Sequence, residues 1–190
     1  MMQNTITIVS GLPRSGTSMM MKMLHAGGMD VLTDEIRSAD EDNPKGYYEF
    51  ERVKQLPQDT AWLPQAEHKA VKIISALLLK LPPDHGYKVI FMRRNIQEIL
   101  DSQRRMLIRR GEPADKISDE EIGQAFEKHL ELVQNWLAGQ PNIDVLYIDY
   151  NATLRDPFTN AELVNRFLGS VLDTKKMVQV VDPSLYRWRR

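Results

Sequence analysis

Thr5-Ile6-Thr7-Ile8-Val9-Ser10-Gly11-Leu12-Pro13-Arg14-Ser15-Gly16-Thr17-Ser18 is the stretch on which the reading of this chain turns. Thr5–Ser10 is a short β-branched run, the composition of a strand. It stops at a Gly-Leu-Pro-Arg-Ser-Gly turn, after which Met19, Met20, Met23 and Leu24 recur at helical spacing. Strand, glycine-bearing loop and helix in that order aim backbone N–H groups and a helix N-terminus at one spot, which suits phosphate oxygens. Against the nucleotide-triphosphatase pattern G-x-x-x-x-G-K-(S/T), Gly11, Gly16 and the final hydroxyl of Ser18 are present, but Thr17 occupies the lysine position. That lysine normally reaches the β- and γ-phosphates, so its loss counts against an ordinary ATPase or kinase. Arg14 is the cation left in the loop. A connection chosen only for its geometry would leave Arg14 and the hydroxyls unexplained.

Outward from this stretch, strands and helices alternate. Ala70–Ser75 reads as a second buried strand, Tyr87–Met92 as a third ending in Arg93-Arg94, and Ile143–Ile148 as a fourth. Met29–Leu32 holds at most a short strand, and Tyr47–Thr60 a short helix. Asn95 can cap a helix with Glu98 at the reciprocal position and Ile96, Ile99, Leu100 and Leu107 on its buried stripe. Ser118-x-x-Glu121 opens another, with Ile122, Phe126, Leu130, Val133 and Leu137 on one face. Asp156-Pro157 is a strong helix start, followed by apolar Phe158, Leu163, Val164, Phe167 and Leu168. The expectation is an α/β fold: three layers, α/β/α, around a central parallel sheet, with ligands at the carboxyl ends of the strands. With 190 residues, 42% of them hydrophobic, one domain spanning 1–190 is expected.

Composition narrows the function. The 25 Lys+Arg and 26 Asp+Glu leave a net charge of −1, so neither a nucleic-acid nor a membrane-surface binder is indicated, and any basic site must be local. The chain has no cysteine, which removes disulfides, thiolate nucleophiles and cysteine metal sites and fits a reducing, cytoplasmic compartment. The N-terminus lacks the basic segment and long apolar run of a signal peptide, and no stretch approaches a membrane span. No set of His, Asp and Glu has metal-ligand spacing, so no metal is expected.

With these residues in view, the sequence resembles the sulfotransferases. Pro13-Arg14-Ser15-Gly16-Thr17-Ser18 is similar to their 5′-phosphosulfate loop, Pro-(Lys/Arg)-Ser-Gly-Thr-(Thr/Ser). By that resemblance Arg14, Ser15, Gly16, Thr17 and Ser18 hold the 5′-phosphosulfate of 3′-phosphoadenosine 5′-phosphosulfate (PAPS). The second signature is a strand ending in Arg and opening a helix with Ser eight places on, which Arg94 and Ser102 match. The resemblance gives these two the donor's 3′-phosphate, for which a guanidinium is chemically apt. Ile96 stands where the family has Pro. Tyr147–Pro157 is similar to the family's Y-E-D-L-x-x-D-P segment and implies Tyr150 near the adenine, with Asn151 in place of the usual Glu. The implied fold is the phosphate-loop sulfotransferase fold, and the implied product nucleotide is adenosine 3′,5′-bisphosphate (PAP).

Sulfuryl transfer needs a base for the acceptor's proton and positive groups for the developing charge. Arg14 suits the second role. Cytosolic family members carry a strand Lys-Thr-His; here Lys72-Ile73-Ile74 has no His. Other members place a Glu some way behind the loop, which makes Glu35 the first candidate. Glu49, in Asn43-Pro44-Lys45-Gly46-Tyr47-Tyr48-Glu49, is its rival, and either carboxylate is equally readable as surface solvation. His68 is a further base candidate or an incidental surface residue. Lys72 either reaches the bridging oxygen or points to solvent. Trp62 and Trp136 line an acceptor pocket or fill core. The closing Leu185–Arg190 folds over the donor or is a frayed basic tail. Two other readings stay open: a phosphotransferase or hydrolase with Asp149 as the magnesium-site carboxylate, and a non-catalytic nucleotide-binding module. The acceptor, expected to be a small molecule, is not named by these residues. The short chain allows an open site or completion by a partner subunit, including a second copy.

Overall fold

The computed structural model describes residues 5–34, 46–113 and 117–182. Four parallel strands, β1 (Thr5–Gly11), β2 (Ala70–Lys72), β3 (Gly86–Arg93) and β4 (Ile143–Asp149), form one sheet in the order β2-β1-β3-β4. Their register sets Val9 beside Lys72, Gly11 beside Met92 and Arg93 beside Asp149. The chain leaves β1 for β2 on one side and reaches β3 on the other. The crevice between the carboxyl ends of β1 and β3 is therefore the topological switch point, where open α/β sheets bind ligands.

Alternation along the strands gives the sheet two apolar faces. Ile6 and Ile8 of β1 join Val71, Val89 and Phe91 in one buried cluster, covered by Val133 and Leu137 of α4 (Asp119–Ala138) and by Trp62. Val9, Ile90, Met92 and Ile148 point the other way. They meet Met20, Met21, Met23 and Leu24 of α1 (Thr17–Ala26), Val164 of α6 (Pro157–Phe167) and Met177 of α7 (Thr174–Gln179). This is the expected three-layer α/β/α arrangement, and the methionines of α1 are core filling, which their unbranched chains suit.

One local expectation needs correction. The apolar run of the second strand extends to Ser75, but pairing ends at Lys72, and Ser75 opens α2 (Ser75–Leu78). Hydrophobicity cannot separate strand from the buried turn that follows it. The span 47–60 does hold a short helix, of the 3-10 type, over Glu51–Gln55. Trp62 is fully buried in the first cluster, where its Nε1 donates to the Asp59 carbonyl at 3.0 Å, and Trp136 packs against the same cluster. Of the two readings of these tryptophans, core filling is the one that holds for both. Val31 pairs with Ala70 as a single bridge, consistent with at most a short strand there.

Helix starts follow the capping residues. Asn95 opens α3 (Ile96–Arg109) by accepting from the Gln97 and Glu98 amides at 2.8 and 3.4 Å. Ser118 and Glu121 form the reciprocal capping box of α4. Asp156 accepts from Thr159 N at 3.0 Å to start α6. Glu98 does not close a box with Asn95; its carboxylate is used elsewhere.

Candidate functional site

The loop between β1 and α1 is held in backbone states that favour glycine. Gly11 has φ +148°, and a Cβ there would stand 2.5 Å from Ser15 Oγ and 2.7 Å from the Met92 carbonyl oxygen. Arg14 adopts φ 68° without being glycine, and Gly16, the residue before α1, has φ 97°. Among the described residues no side chain caps α1, which leaves its first-turn amides without a capping side chain. Ser15 is 1% exposed, and neither its hydroxyl nor the buried Ser10 hydroxyl has a hydrogen-bond partner among the described residues. Buried hydroxyls are seldom left unpaired, so these atoms fit a ligand-binding cradle. The Tyr150 ring lies on Gly16, where an added Cβ would come within 2.3 Å of Cδ2. Gly16→Ala is accordingly expected to cost about 1–3 kcal/mol by overpacking, read as a lower thermal midpoint, with weaker anion binding because the ring and the loop cannot both keep their places.

The second signature meets this loop across the switch point. Arg14 Nε donates to Ser102 Oγ at 2.9 Å. Arg94 lies beside the pair: Nη1 donates to the Arg14 carbonyl at 2.9 Å, Nε donates to Glu98 Oε2 at 2.9 Å, and the guanidinium carbon sits 4.5 Å from the centre of the Tyr150 ring. Tyr150 opens α5 (Tyr150–Arg155) directly after β4. Its hydroxyl pKa is raised, chiefly by burial; Arg94 and Arg14 pull it down and Glu98 pushes it up. Ser102 thus takes its bond from Arg14, although the spacing pairs it with Arg94. Asp149 Oδ1 accepts from Ala152 N at 2.6 Å as the cap of α5, which is the structural use of the carboxylate that a magnesium-site reading would need.

The sulfotransferase domain family model matches residues 4–187, nearly the whole chain. The chain belongs to the sulfotransferase family. The fold is similar to that of mouse sulfotransferase SULT7A1 complexed with PAP, at 17% identity and a TM-score of 0.60, over 98% of this chain and 68% of that one. It is also similar to retinol dehydratase in complex with androsterone and inactive cofactor PAP (17% identity, TM-score 0.52, 94% of this chain and 63% of that one). The sulfotransferase domain from the curacin biosynthetic pathway is a third neighbour (15% identity, TM-score 0.53, 94% of this chain and 78% of that one). At these identities the likeness is one of fold. No curated protein sequence matches the chain at a significant level.

In this sulfotransferase a second polar group adjoins the loop from the β2 side. The Lys72 side chain is 9% exposed, so it does not point to solvent. Its Nζ donates to the Tyr47 carbonyl and lies 3.5 Å from both Ser18 Oγ and Glu49 Oε1. Ser18 Oγ donates to the same carbonyl at 3.3 Å. Glu49 is anchored by its backbone, whose carbonyl accepts from Thr33 Oγ1 at 2.9 Å and Asp34 N at 3.2 Å. The fold therefore brings Glu49 to the loop through Lys72, whereas Glu35 lies outside the described residues, as does the Leu185–Arg190 tail. His68 N donates to the Thr5 carbonyl at the amino end of β1, the opposite edge of the sheet from the loop, which removes it as a base.

Two contacts beside the loop, those of Glu98 with Arg94 and with Asn151, go beyond the sequence motifs. Asn151 Nδ2 donates to Glu98 Oε1 at 2.9 Å, closing a chain from α5 through α3 to the loop. The four-residue step from Arg94 to Glu98 is a legible signal on a helix; the 53-residue step to Asn151 is not. Among the described residues there is no cluster able to hold a metal ion, and no helix long and apolar enough to cross a membrane.

Proposed function

We propose that residues 1–190 form one domain that transfers a sulfuryl group from PAPS to a hydroxyl or amine of a small-molecule acceptor. The observation that carries this reading is the Arg14–Ser102 bond, which joins two sequence signatures 88 residues apart at the switch point of the sheet. The unpartnered Ser15 hydroxyl and the uncapped start of α1 support a bound anion at the loop. Ser15, Gly16, Thr17 and Ser18 then cradle the 5′-phosphosulfate, with Arg14 as its cation. Ser102 and Arg94 line the side that takes the 3′-phosphate, and Tyr150 stands against the adenine.

The donor, when bound, supplies a sulfuryl group on an oxygen of its 5′-phosphate. Arg14 and the buried Lys72 stabilise negative charge on that bridging oxygen and on the sulfuryl oxygens, where a cation in a water-poor site acts most strongly. The acceptor's oxygen or nitrogen would form the new bond to sulfur as the bond from sulfur to the bridging oxygen breaks and PAP leaves with its electron pair, and the acceptor's proton would pass to a carboxylate. Glu49 is the candidate with an observed place beside the loop, and Glu35 is its rival. The cysteine-free chain suits the cytoplasm.

Calorimetric titration with PAP and, in parallel, with ATP plus magnesium tests the reading. The expected result is micromolar binding of PAP and feeble binding of ATP, since Thr17 replaces the triphosphate-binding lysine. The reverse preference would sink it.

A further inference from the structure

The guanidinium of Arg94 is committed on three sides. Nε is bonded to Glu98 Oε2, Nη1 to the Arg14 carbonyl, and its face lies over Tyr150. The Arg94 side chain is 8% exposed and that of Glu98 is 21% exposed. The second oxygen of Glu98 accepts from Asn151 Nδ2 at 2.9 Å, so the carboxylate is fixed from both ends. At the far end of this relay, Arg14 is a non-glycine residue at φ 68°, a state that costs energy and persists only where its surroundings impose it. The bond from Arg94 Nη1 is a contact that imposes it, and Glu98 aims that bond.

We propose that Glu98, steadied by Asn151, is a positioning residue for the donor site: it orients Arg94, which pins the Arg14 carbonyl and so keeps the phosphate loop in its anion-binding turn. This rests on the donor-site reading above. The relay depends on complementary chemistry at its last link. A carboxylate accepts and the Asn151 amide donates, so Asn151→Glu would set two carboxylates against each other. Because Glu98 acts on the loop through Arg94 and the Arg14 carbonyl, its loss must be felt by any ligand whose 5′-group sits in the loop, with or without a 3′-phosphate.

The test is titration of purified variants with PAP and with adenosine 5′-phosphosulfate, which lacks the 3′-phosphate. Glu98→Ala is expected to weaken both ligands, adenosine 5′-phosphosulfate about tenfold for a charged hydrogen bond lost and PAP by at least as much, because Arg94 also lines the 3′-phosphate side. Adding Glu98→Ala to Arg94→Ala should bring no further loss, because the two residues act in series. Asn151→Glu alone should weaken both ligands. Glu98→Gln combined with Asn151→Glu should restore them toward wild type, since the amide introduced by Glu98→Gln can accept from Arg94 and donate to the new carboxylate. This restored pair keeps the proposal testable if Glu98→Ala does not fold. A loss confined to PAP, additive losses with Arg94→Ala, no rescue by the exchanged pair, or a lower thermal midpoint with unchanged affinities would each overturn it. If the wild-type chain binds neither ligand, it is the donor-site reading that fails.

Discussion

Arg14→Ala is expected to weaken PAP roughly tenfold to a hundredfold, the loss of about 1.5–3 kcal/mol that follows removal of a charged hydrogen-bond donor. Turnover with PAPS should fall further, by about 10²–10³-fold, as when one preorganised charge-stabilising donor is removed. Two features make Arg14 the most consequential side chain of the site. It is the cation of a loop that has Thr17 at the position of the usual lysine, and its Nε reaches Ser102 at 2.9 Å, so it serves both signatures. Calorimetry with PAP and the rate of PAP release check the two parts separately. Unchanged affinity together with unchanged turnover would remove Arg14 from the donor site.

Glu49→Gln is expected to leave PAP affinity as it is and to lower turnover by about 10²–10⁴-fold, the range for loss of a positioned base. The amide keeps the size of the side chain and an oxygen for Lys72 Nζ, which lies 3.5 Å from the carboxylate, but it cannot take a proton at working pH. The comparison needs an acceptor found by screening, with the thermal midpoint measured alongside to separate chemistry from folding. Unchanged turnover would move the proton to Glu35. A fall in PAP affinity as large as the fall in turnover would make Glu49 a partner of Lys72 in holding the loop and not a base.

The local pieces are legible in the sequence because they depend on neighbours a few residues away. The strand–loop–helix at Thr5–Ser18 is written in a β-branched run, two glycines and methionines at helical spacing, and it stands as β1, the loop and α1. Asn95, Ser118 and Asp156 announce helix starts through short-range hydrogen bonds, and all three cap helices. The periodic apolar residues also suffice for an α/β sandwich, because strand and helix periods sort side chains onto faces.

The kind of fold can thus be read from the chain alone; which residues of its motifs touch one another cannot. The strand order β2-β1-β3-β4 carries the loop, Arg94 and Tyr150 to one crevice, and in that crevice Ser102 is bonded by Arg14, Arg94 is held by Glu98, and Lys72 turns inward to Ser18 and Glu49. The same packing buries Trp62 in the core and ends β2 at Lys72. The physical reason is common to all of these: the partner of a side chain is set by the register of distant strands and by competition among polar groups for the same buried hydrogen bonds, neither of which is encoded within one window of sequence.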